Sequence, residues 1–291
     1  MKFIKLHGYG NDYIVVRAGE LRRVPSLPEF ARRVCDRHFG AGADGVALVE
    51  EAADGGADFR VRIFNPDGSE AAMSGNGTRC AASALHYEGD WSREVLRLAT
   101  RSGVKVYRLL AADRARGVYR FAAEIGRPRF ESASVPFASD EPLERVVNHP
   151  LEVAPGETVK VTALEMCNPN CCIFVEDFDR LDWRRLGRLI ESHARFPKRT
   201  NVEFVRVVAP DRIEVRIWER GAGETLSSGT GSSAAAVAAC ANNLTGRRVA
   251  VETAGGELGV EWREDGEVVL TGEAEVVYRG EWLKAAEPWD D

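Results

Sequence analysis

Val61-Arg62-Ile63-Phe64-Asn65-Pro66-Asp67-Gly68-Ser69-Glu70-Ala71-Ala72-Met73-Ser74-Gly75-Asn76-Gly77 aligns without gaps to Val215-Arg216-Ile217-Trp218-Glu219-Arg220-Gly221-Ala222-Gly223-Glu224-Thr225-Leu226-Ser227-Ser228-Gly229-Thr230-Gly231. The two stretches lie a constant 154 positions apart, from Val61 to Val215 and from Ser74 to Ser228. Each runs strand, polar turn, glutamate, then Ser-Gly-x-Gly opening a helix of small residues. Ser-Gly-x-Gly twice is a chance-level event; the matching strand and a glutamate four residues upstream make it a duplication. Two equivalent halves predict pseudo-two-fold symmetry, with the two turns facing one another across a cleft, where ligand pockets often lie.

Working outward, the runs 61–64, 104–107, 213–217 and 258–262 alternate apolar with polar or small residues, as half-buried strands do. Helices are predicted over 28–37, 77–87, 182–194 and 232–241. Strands outnumber helices and do not alternate regularly with them, so the expected class is α+β. The first half takes residues 1–118 with 270–291, and the second takes 119–269.

Composition narrows the function. The chain has 291 residues, 44% of them hydrophobic, enough for two ordinary domains with full cores. A net charge of -6 from 39 basic and 45 acidic residues, with no long block of either sign, argues against nucleic acid and anionic membrane as partners. No apolar run has signal-peptide or membrane-span length, so a cytoplasmic protein is expected. The six cysteines, at 35, 80, 167, 171, 172 and 240, form no CxxC pair and no zinc spacing, and they read as buried small apolar residues.

Gly75, Gly77, Gly229 and Gly231 free the backbone to turn tightly, and the helices that follow present unpaired N–H groups. Two such turns are suited to hold a substrate carboxylate, with the helix dipoles adding favourable charge. For either serine alone, an ordinary helix N-cap is the better reading; the duplication favours a site. Neither copy carries the P-loop lysine or dinucleotide-fingerprint spacing. No Gly-x-Ser-x-Gly elbow is present, and the five histidines show no linkage to either serine.

The longer motifs agree. His7-Gly8-Tyr9-Gly10-Asn11-Asp12-Tyr13 opens the chain, and Arg37-His38-Phe39-Gly40-Ala41-Gly42-Ala43-Asp44-Gly45 follows. Next come Asn65 to Glu70, Ser74-Gly75-Asn76-Gly77-Thr78-Arg79-Cys80 and Asn168-Pro169. The last are Arg199-Thr200-Asn201-Val202-Glu203-Phe204 and Glu219 to Thr225. In this order they resemble the diaminopimelate epimerases along nearly the whole chain. The resemblance implies two like domains, each a strand-rich barrel around a central helix, with the active site between them, and a homodimer as the assembly. It implies inversion of the α-carbon of a small-molecule amino acid, with no pyridoxal phosphate, other cofactor or metal. In such enzymes one cysteine thiolate removes the α-proton and a second thiol delivers one to the opposite face. By position, Asn11, Asn65, Asn168, Asn201, Glu219 and Arg220 bind substrate, and the backbone at Gly75-Asn76 and Gly229-Thr230 holds its carboxylate. Glu219 and Arg220 take the distal amino-acid head.

Two departures stand out: serine occupies both catalytic cysteine positions, Ser74 and Ser228, and the family's histidine after Asn-Pro is Asn170. A thiol titrates near 8.5, whereas an alcohol lies closer to water at about 15.7. The gap of roughly 7 units is about 10 kcal/mol against forming the base, beyond the 0.3–2 kcal/mol of a helix dipole. Glu70 and Glu224, four residues before each serine, are candidate helpers or simply recurring turn acids. Three accounts fit: replacement of cysteines to trap a bound substrate, a natural branch that moves the proton with another base, and a binder without chemistry. Ser227-Ser228, Ser232-Ser233 and the change at Asn170 lean toward natural divergence. The leading expectation is an LL- to meso-diaminopimelate epimerase weakened or silenced by its serines. The alternatives are a phenazine-biosynthesis-type isomerase that shuttles protons on carboxylates, and a non-catalytic amino-acid binder.

Overall fold

The computed structural model describes residues 1–22, 24–53 and 55–283, so residues 284–291 of the expected first half lie outside the described residues. The chain forms two compact units, Met1–Ala123 with Gly272–Asp291, and Glu124–Thr271. Residues from β1 to β8 are β1 (Lys2–Gly8), β2 (Asn11–Arg17), α1 (Leu27–Cys35), β3 (Gly45–Glu51), β4 (Phe59–Phe64), β5 (Glu70–Ala71), α2 (Gly75–Glu88), β6 (Val95–Thr100), β7 (Gly103–Asp113) and β8 (Val118–Gly126). Then come β9 (Val146–Ala154), β10 (Glu157–Glu165), β11 (Pro169–Phe174), α3 (Trp183–Glu191), β12 (Asn201–Ala209), β13 (Arg212–Glu219), β14 (Gly223–Thr225), α4 (Gly229–Ala241), β15 (Arg248–Thr253), β16 (Gly256–Trp262) and β17 (Val268–Glu281). The chain leaves the first unit within β8 and returns to it within β17.

The duplication read from two short stretches extends over the topology. In the first unit β1 and β2 are antiparallel, β2 and β3 parallel, β3 and β4 antiparallel, β4 and β6 parallel, and β6, β7 and β8 antiparallel. β17 pairs with both β1 and β8, which closes a ring of eight strands. The second unit repeats this series with β10, β11, β12, β13, β15, β16 and β17. Parallel neighbours need a crossover. The helices supply it, α1 and α3 between the first parallel pair of each unit, α2 and α4 between the second.

Even the register repeats. Ile63 faces Ala71 and Phe64 faces Glu70, as Ile217 faces Thr225 and Trp218 faces Glu224. Val46 faces Phe64 and Ala47 faces Ile63, just as Val202 faces Trp218 and Glu203 faces Ile217. Glu203 therefore occupies the place that Ala47 has in the first unit.

Helix α2 packs against β1, β2, β3 and β4, and every residue from Asn76 to His86 is buried. Helix α4 packs against β10, β11, β12, β13, β15 and β16 and is buried from Gly231 to Ala239. Its Gly, Ser, Ala and Val side chains are small enough for strands to enclose it on several sides. The outer helices are amphipathic: α1 buries Phe30, Ala31, Val34 and Cys35, and α3 buries Trp183, Leu186 and Ile190. Phe30 and Val34 join a core with Ile14, Val46 and Phe64, while Trp183 and Ile190 join one with Val161, Val202 and Phe204.

Each expected strand and helix is present, but α2 and α4 begin earlier than 77 and 232. Ser74 and Ser228 cap them, so Gly75 and Gly229 are already helical. The cysteine expectation needs correction at two positions. Cys35, Cys80, Cys171 and Cys172 are buried, whereas Cys167 is exposed and Cys240 partly so. Cys167 follows β10 with a left-handed φ of 63°, in a turn that carries it out of the strand. No helix among the described residues is long and apolar enough to cross a membrane.

Candidate active site

Both serines sit at extended backbone angles, φ −133° at Ser74 and φ −137° at Ser228, immediately before their helices. Ser74 Oγ accepts the Gly77 N–H at 3.1 Å, and the Ser74 carbonyl accepts the Thr78 N–H at 2.9 Å. Ser228 does the same for Gly231 at 3.3 Å and Ser232 at 2.9 Å. Among the described residues no protein acceptor takes the N–H groups of Gly75 and Asn76, or of Gly229 and Thr230. These are first-turn orphans, the donors that a carboxylate would satisfy.

The surroundings of the two serines differ. Tyr13, on β2, places its hydroxyl 2.7 Å from Ser74 Oγ. Room for the ring comes from Gly45 and Gly77: a Cβ would meet Tyr13 Cε1 at 2.7 Å and 2.8 Å respectively. Around Ser228 the neighbouring hydroxyl is that of Thr230, at 3.5 Å. Tyr13 faces Gly45 across the β2–β3 pair, and the corresponding β11–β12 pair sets Asn170 against Asn201. Asn170 thus takes the strand position that Tyr13 holds in the first unit.

Of the binding residues expected in the first unit, Asn11 and Asn76 come together, Asn76 Nδ2 donating to Asn11 Oδ1 at 3.2 Å. Arg79 donates to Asn76 Oδ1 and, through Nε, to the Glu273 carbonyl at 3.0 Å. Asn11 Nδ2 donates to Asp44 at 3.0 Å, and Arg37 ties Asp44 to Asp12 at 2.7 and 2.8 Å. Burial pushes the Asp12 carboxyl up, but bonds from Arg37 and Lys5 outweigh it and hold it at about 2. Asn65 stands apart in its turn, its amide donating to Ser69 Oγ at 2.9 Å.

In the second unit a chain of amides links the expected residues. Asn170 Nδ2 donates to the Asn168 carbonyl at 2.7 Å, and Asn201 Nδ2 donates to Asn170 Oδ1 at 3.2 Å. Asn201 Oδ1 in turn accepts the Arg220 N–H at 2.9 Å, which fixes the start of the turn after β13. Arg220 is exposed and gives its guanidinium to the Lys198 carbonyl at 2.9 Å, next to a half-buried Glu219. Asn170, a departure from the family pattern, is thus the bridge between two of the residues expected to bind substrate.

Glu70 and Glu224 do not serve the serines. Arg62 grips Glu70 at 3.0 and 2.8 Å and lowers its pKa through those bonds, and Arg184 grips Glu224 at 2.6 and 2.8 Å. They recur because the duplicated β4–β5 and β13–β14 hairpins each carry one. Two other residues were not singled out from sequence: Tyr13 and Glu203. Glu203 is fully buried, and burial drives its carboxyl well above the ordinary range. A period of two would have found both, since Tyr13 follows Asn11 and Glu203 follows Asn201 on the same face of a strand.

The fold and the paired, N-capped serine turns define a duplicated α+β protein whose architecture recurs in known structures. A phenazine biosynthesis protein of the PhzF family from Bacillus anthracis superposes with a TM-score of 0.70 at 16% identity, over 97% of this chain and 99% of its own. A probable proline racemase from Agrobacterium radiobacter gives 0.70 at 17%, over 99% and 94%. The sequence is more specific than the fold. The family model described as diaminopimelate epimerase matches residues 3–128 and 162–277. Proteins named diaminopimelate epimerase from Pelotomaculum thermopropionicum and Heliobacterium modesticaldum are each 44% identical, over 97% of this chain and 99% of theirs. The chain belongs to the diaminopimelate epimerase family.

Proposed function

We propose that the protein epimerises an amino acid at its α-carbon without pyridoxal phosphate, converting LL- to meso-diaminopimelate, a step of lysine biosynthesis. The observation that carries this is the pair of serine-capped helix starts, each with two N–H donors open to a carboxylate. Asn11, Asn65, Asn168, Asn201, Glu219 and Arg220 bind the substrate. The N–H groups of Gly75-Asn76 and Gly229-Thr230 hold the reacting carboxylate, which stabilises the negative charge that develops as the α-proton leaves. Ser74 and Ser228 are the two proton-moving groups of the reaction, one taking a proton and the other giving one.

Serine makes this slow. With a base costing about 10 kcal/mol more to form than a thiolate, turnover falls far below that of a cysteine pair unless a neighbouring group shares the proton. Tyr13 is such a neighbour at Ser74. Deuterium wash-in at the α-carbon of LL- or meso-diaminopimelate, followed by NMR in heavy water, tests the activity; no exchange above the enzyme-free rate at high protein concentration removes it. The second reading, an amino-acid binder without catalysis, draws on the serine pair itself. Calorimetry would then show tight binding of one stereoisomer whose α-proton does not exchange. A carboxylate shuttle on Glu70 and Glu224 gains nothing from their bonds, because arginines take both side chains.

A further inference from the structure

We propose that Glu191 is a positioning residue for Arg220, a role that rests on the function proposed above. It clamps the turn between β13 and β14, so that the guanidinium is held ready for the second carboxylate of the substrate. Glu191 is the last residue of α3 and is buried. Its Oε1 accepts the Gly221 N–H at 2.7 Å and a guanidinium N–H of Arg199, and its Oε2 accepts the Trp218 indole N–H at 2.8 Å. Trp218 and Gly221 flank the Glu219-Arg220 pair, so one carboxylate grips both ends of it. Within the pair, the Arg220 N–H goes to Asn201 Oδ1 at 2.9 Å, and its guanidinium goes to the carbonyl of Lys198, next to Arg199.

The fold does not itself ask for this carboxylate. The first unit ends α1 on Cys35 and sets Phe64 at the strand position that Trp218 has in the second, and both join one apolar core. The same place therefore closes without a charge or an indole N–H. Carboxylate and donor come together in the unit whose turn carries Glu219 and Arg220. The first unit's turn is held otherwise, by Arg32 of α1 on the Asp67 carbonyl at 3.1 Å. A carboxylate at a helix C-terminus also meets the negative end of the dipole, and burying it is costly unless its bonds are made. Arg199 adopts a left-handed φ of 59°, costly for a residue with a side chain, and its guanidinium ends on Glu191. These costs converge on one turn.

Packing fixes the indole as well. Gly187 lies one helical turn before Glu191, and a Cβ there would meet Trp218 at 2.8 Å, so the ring rests directly on α3. The N–H groups of Arg220 and Gly221 are both bonded to side chains of other elements, so the backbone that carries the guanidinium is fixed before a substrate arrives. A planar guanidinium recognises a carboxylate through two parallel bonds, which a wandering turn would not present. Fixing it beforehand lowers the ordering cost of binding. Glutamine at 191 would carry an amide in place of one oxygen, so a donor would face either the Trp218 indole or the Gly221 N–H.

Calorimetry with meso-diaminopimelate tests the role without reference to turnover. Glu191→Gln should weaken binding about tenfold or more. Arg220→Ala should weaken it too, and adding Glu191→Gln to Arg220→Ala should cost nothing further, because Glu191 acts through Arg220. A merely structural role would weaken binding whether or not the guanidinium is present. Equal losses in both backgrounds, or wild-type affinity in Glu191→Gln, therefore overturn the proposal. Trp218→Phe, which sets the first unit's residue at this position, covers the case in which Glu191→Gln does not fold. It removes one bond of the clamp and should weaken binding in the same Arg220-dependent way; a loss independent of Arg220 counts against the clamp. Amide hydrogen exchange reads the turn directly. The Gly221 amide should exchange faster in Glu191→Gln while the amides of β12 keep their rates, and an unchanged Gly221 rate, or an equal rise across β12, overturns the clamp. If the wild-type protein binds no diaminopimelate, the function proposed above fails, and exchange at Gly221 alone decides for Glu191.

Discussion

Restoring thiols at both positions, Ser74→Cys with Ser228→Cys, should convert a slow site into a fast one, and the geometry says the two thiols will differ. An unperturbed thiol titrates near 8.5. At 74 the acceptor receives the Gly77 N–H, with the Tyr13 hydroxyl beside it. Hydrogen bonds to a charged group contribute about 1.5–3 kcal/mol each, and a helix N-terminus adds about 0.3–2. One such bond with the dipole lowers the thiol by one to three units at about 1.4 kcal/mol per unit, to neutrality or below. At 228 the N–H is longer, 3.3 Å, and the Thr230 hydroxyl lies at 3.5 Å, so its thiol falls less. Iodoacetamide labelling of each single variant across pH, resolved by mass spectrometry, measures both midpoints. Cys80, which burial holds at about 12, is the unreactive internal control. If half of the roughly 10 kcal/mol gained in forming the base reaches the rate, exchange in the double variant rises by on the order of 10³-fold or more. A midpoint at or above 8.5 for the thiol at 74, or exchange within tenfold of the serine protein, would refute this account of the turns.

Other consequences can be read on stability. Ser74→Ala removes the cap on Gly77 and the Tyr13 partner, and urea unfolding should show a loss of about 1–2 kcal/mol. Gly77→Ala sets a methyl 2.8 Å from Tyr13 Cε1 and 2.9 Å from Ile63 Cδ1, so a loss of about 1–3 kcal/mol is expected in the same assay. Asp12 is lowered from 3.8 to about 2 in the folded chain, so its contribution is fully present above the unfolded value and is lost as pH falls toward 2. Asp12→Asn should accordingly flatten the decline in urea midpoint between about pH 4 and pH 2; an unchanged acid limb would contradict that assignment.

Much of this molecule is written locally. Alternation over 61–64 and 213–217, Gly75 and Gly229 after an N-capping serine, and the constant spacing between copies are short-range signals. They suffice because strand pleat, helix capping and turn formation depend on neighbouring residues. The asparagines and the Glu219-Arg220 pair are singled out by sequence because their motifs stand in family order. Sequence alone thus determined the duplicated α+β plan and the position of both serines.

Which groups meet those serines was decided by tertiary structure. Tyr13 reaches Ser74 from 61 residues away. Glu203 comes within reach of the first turn of α4 through the register of β12 beside β11 and β13. Glu70 and Glu224, the nearest carboxylates along the chain, are drawn to Arg62 and Arg184 instead. Strand register and helical crossovers set these meetings, and neither leaves a mark on the residues close in sequence to the serines. The same serine-capped turn, written twice, is therefore placed in two different chemical environments.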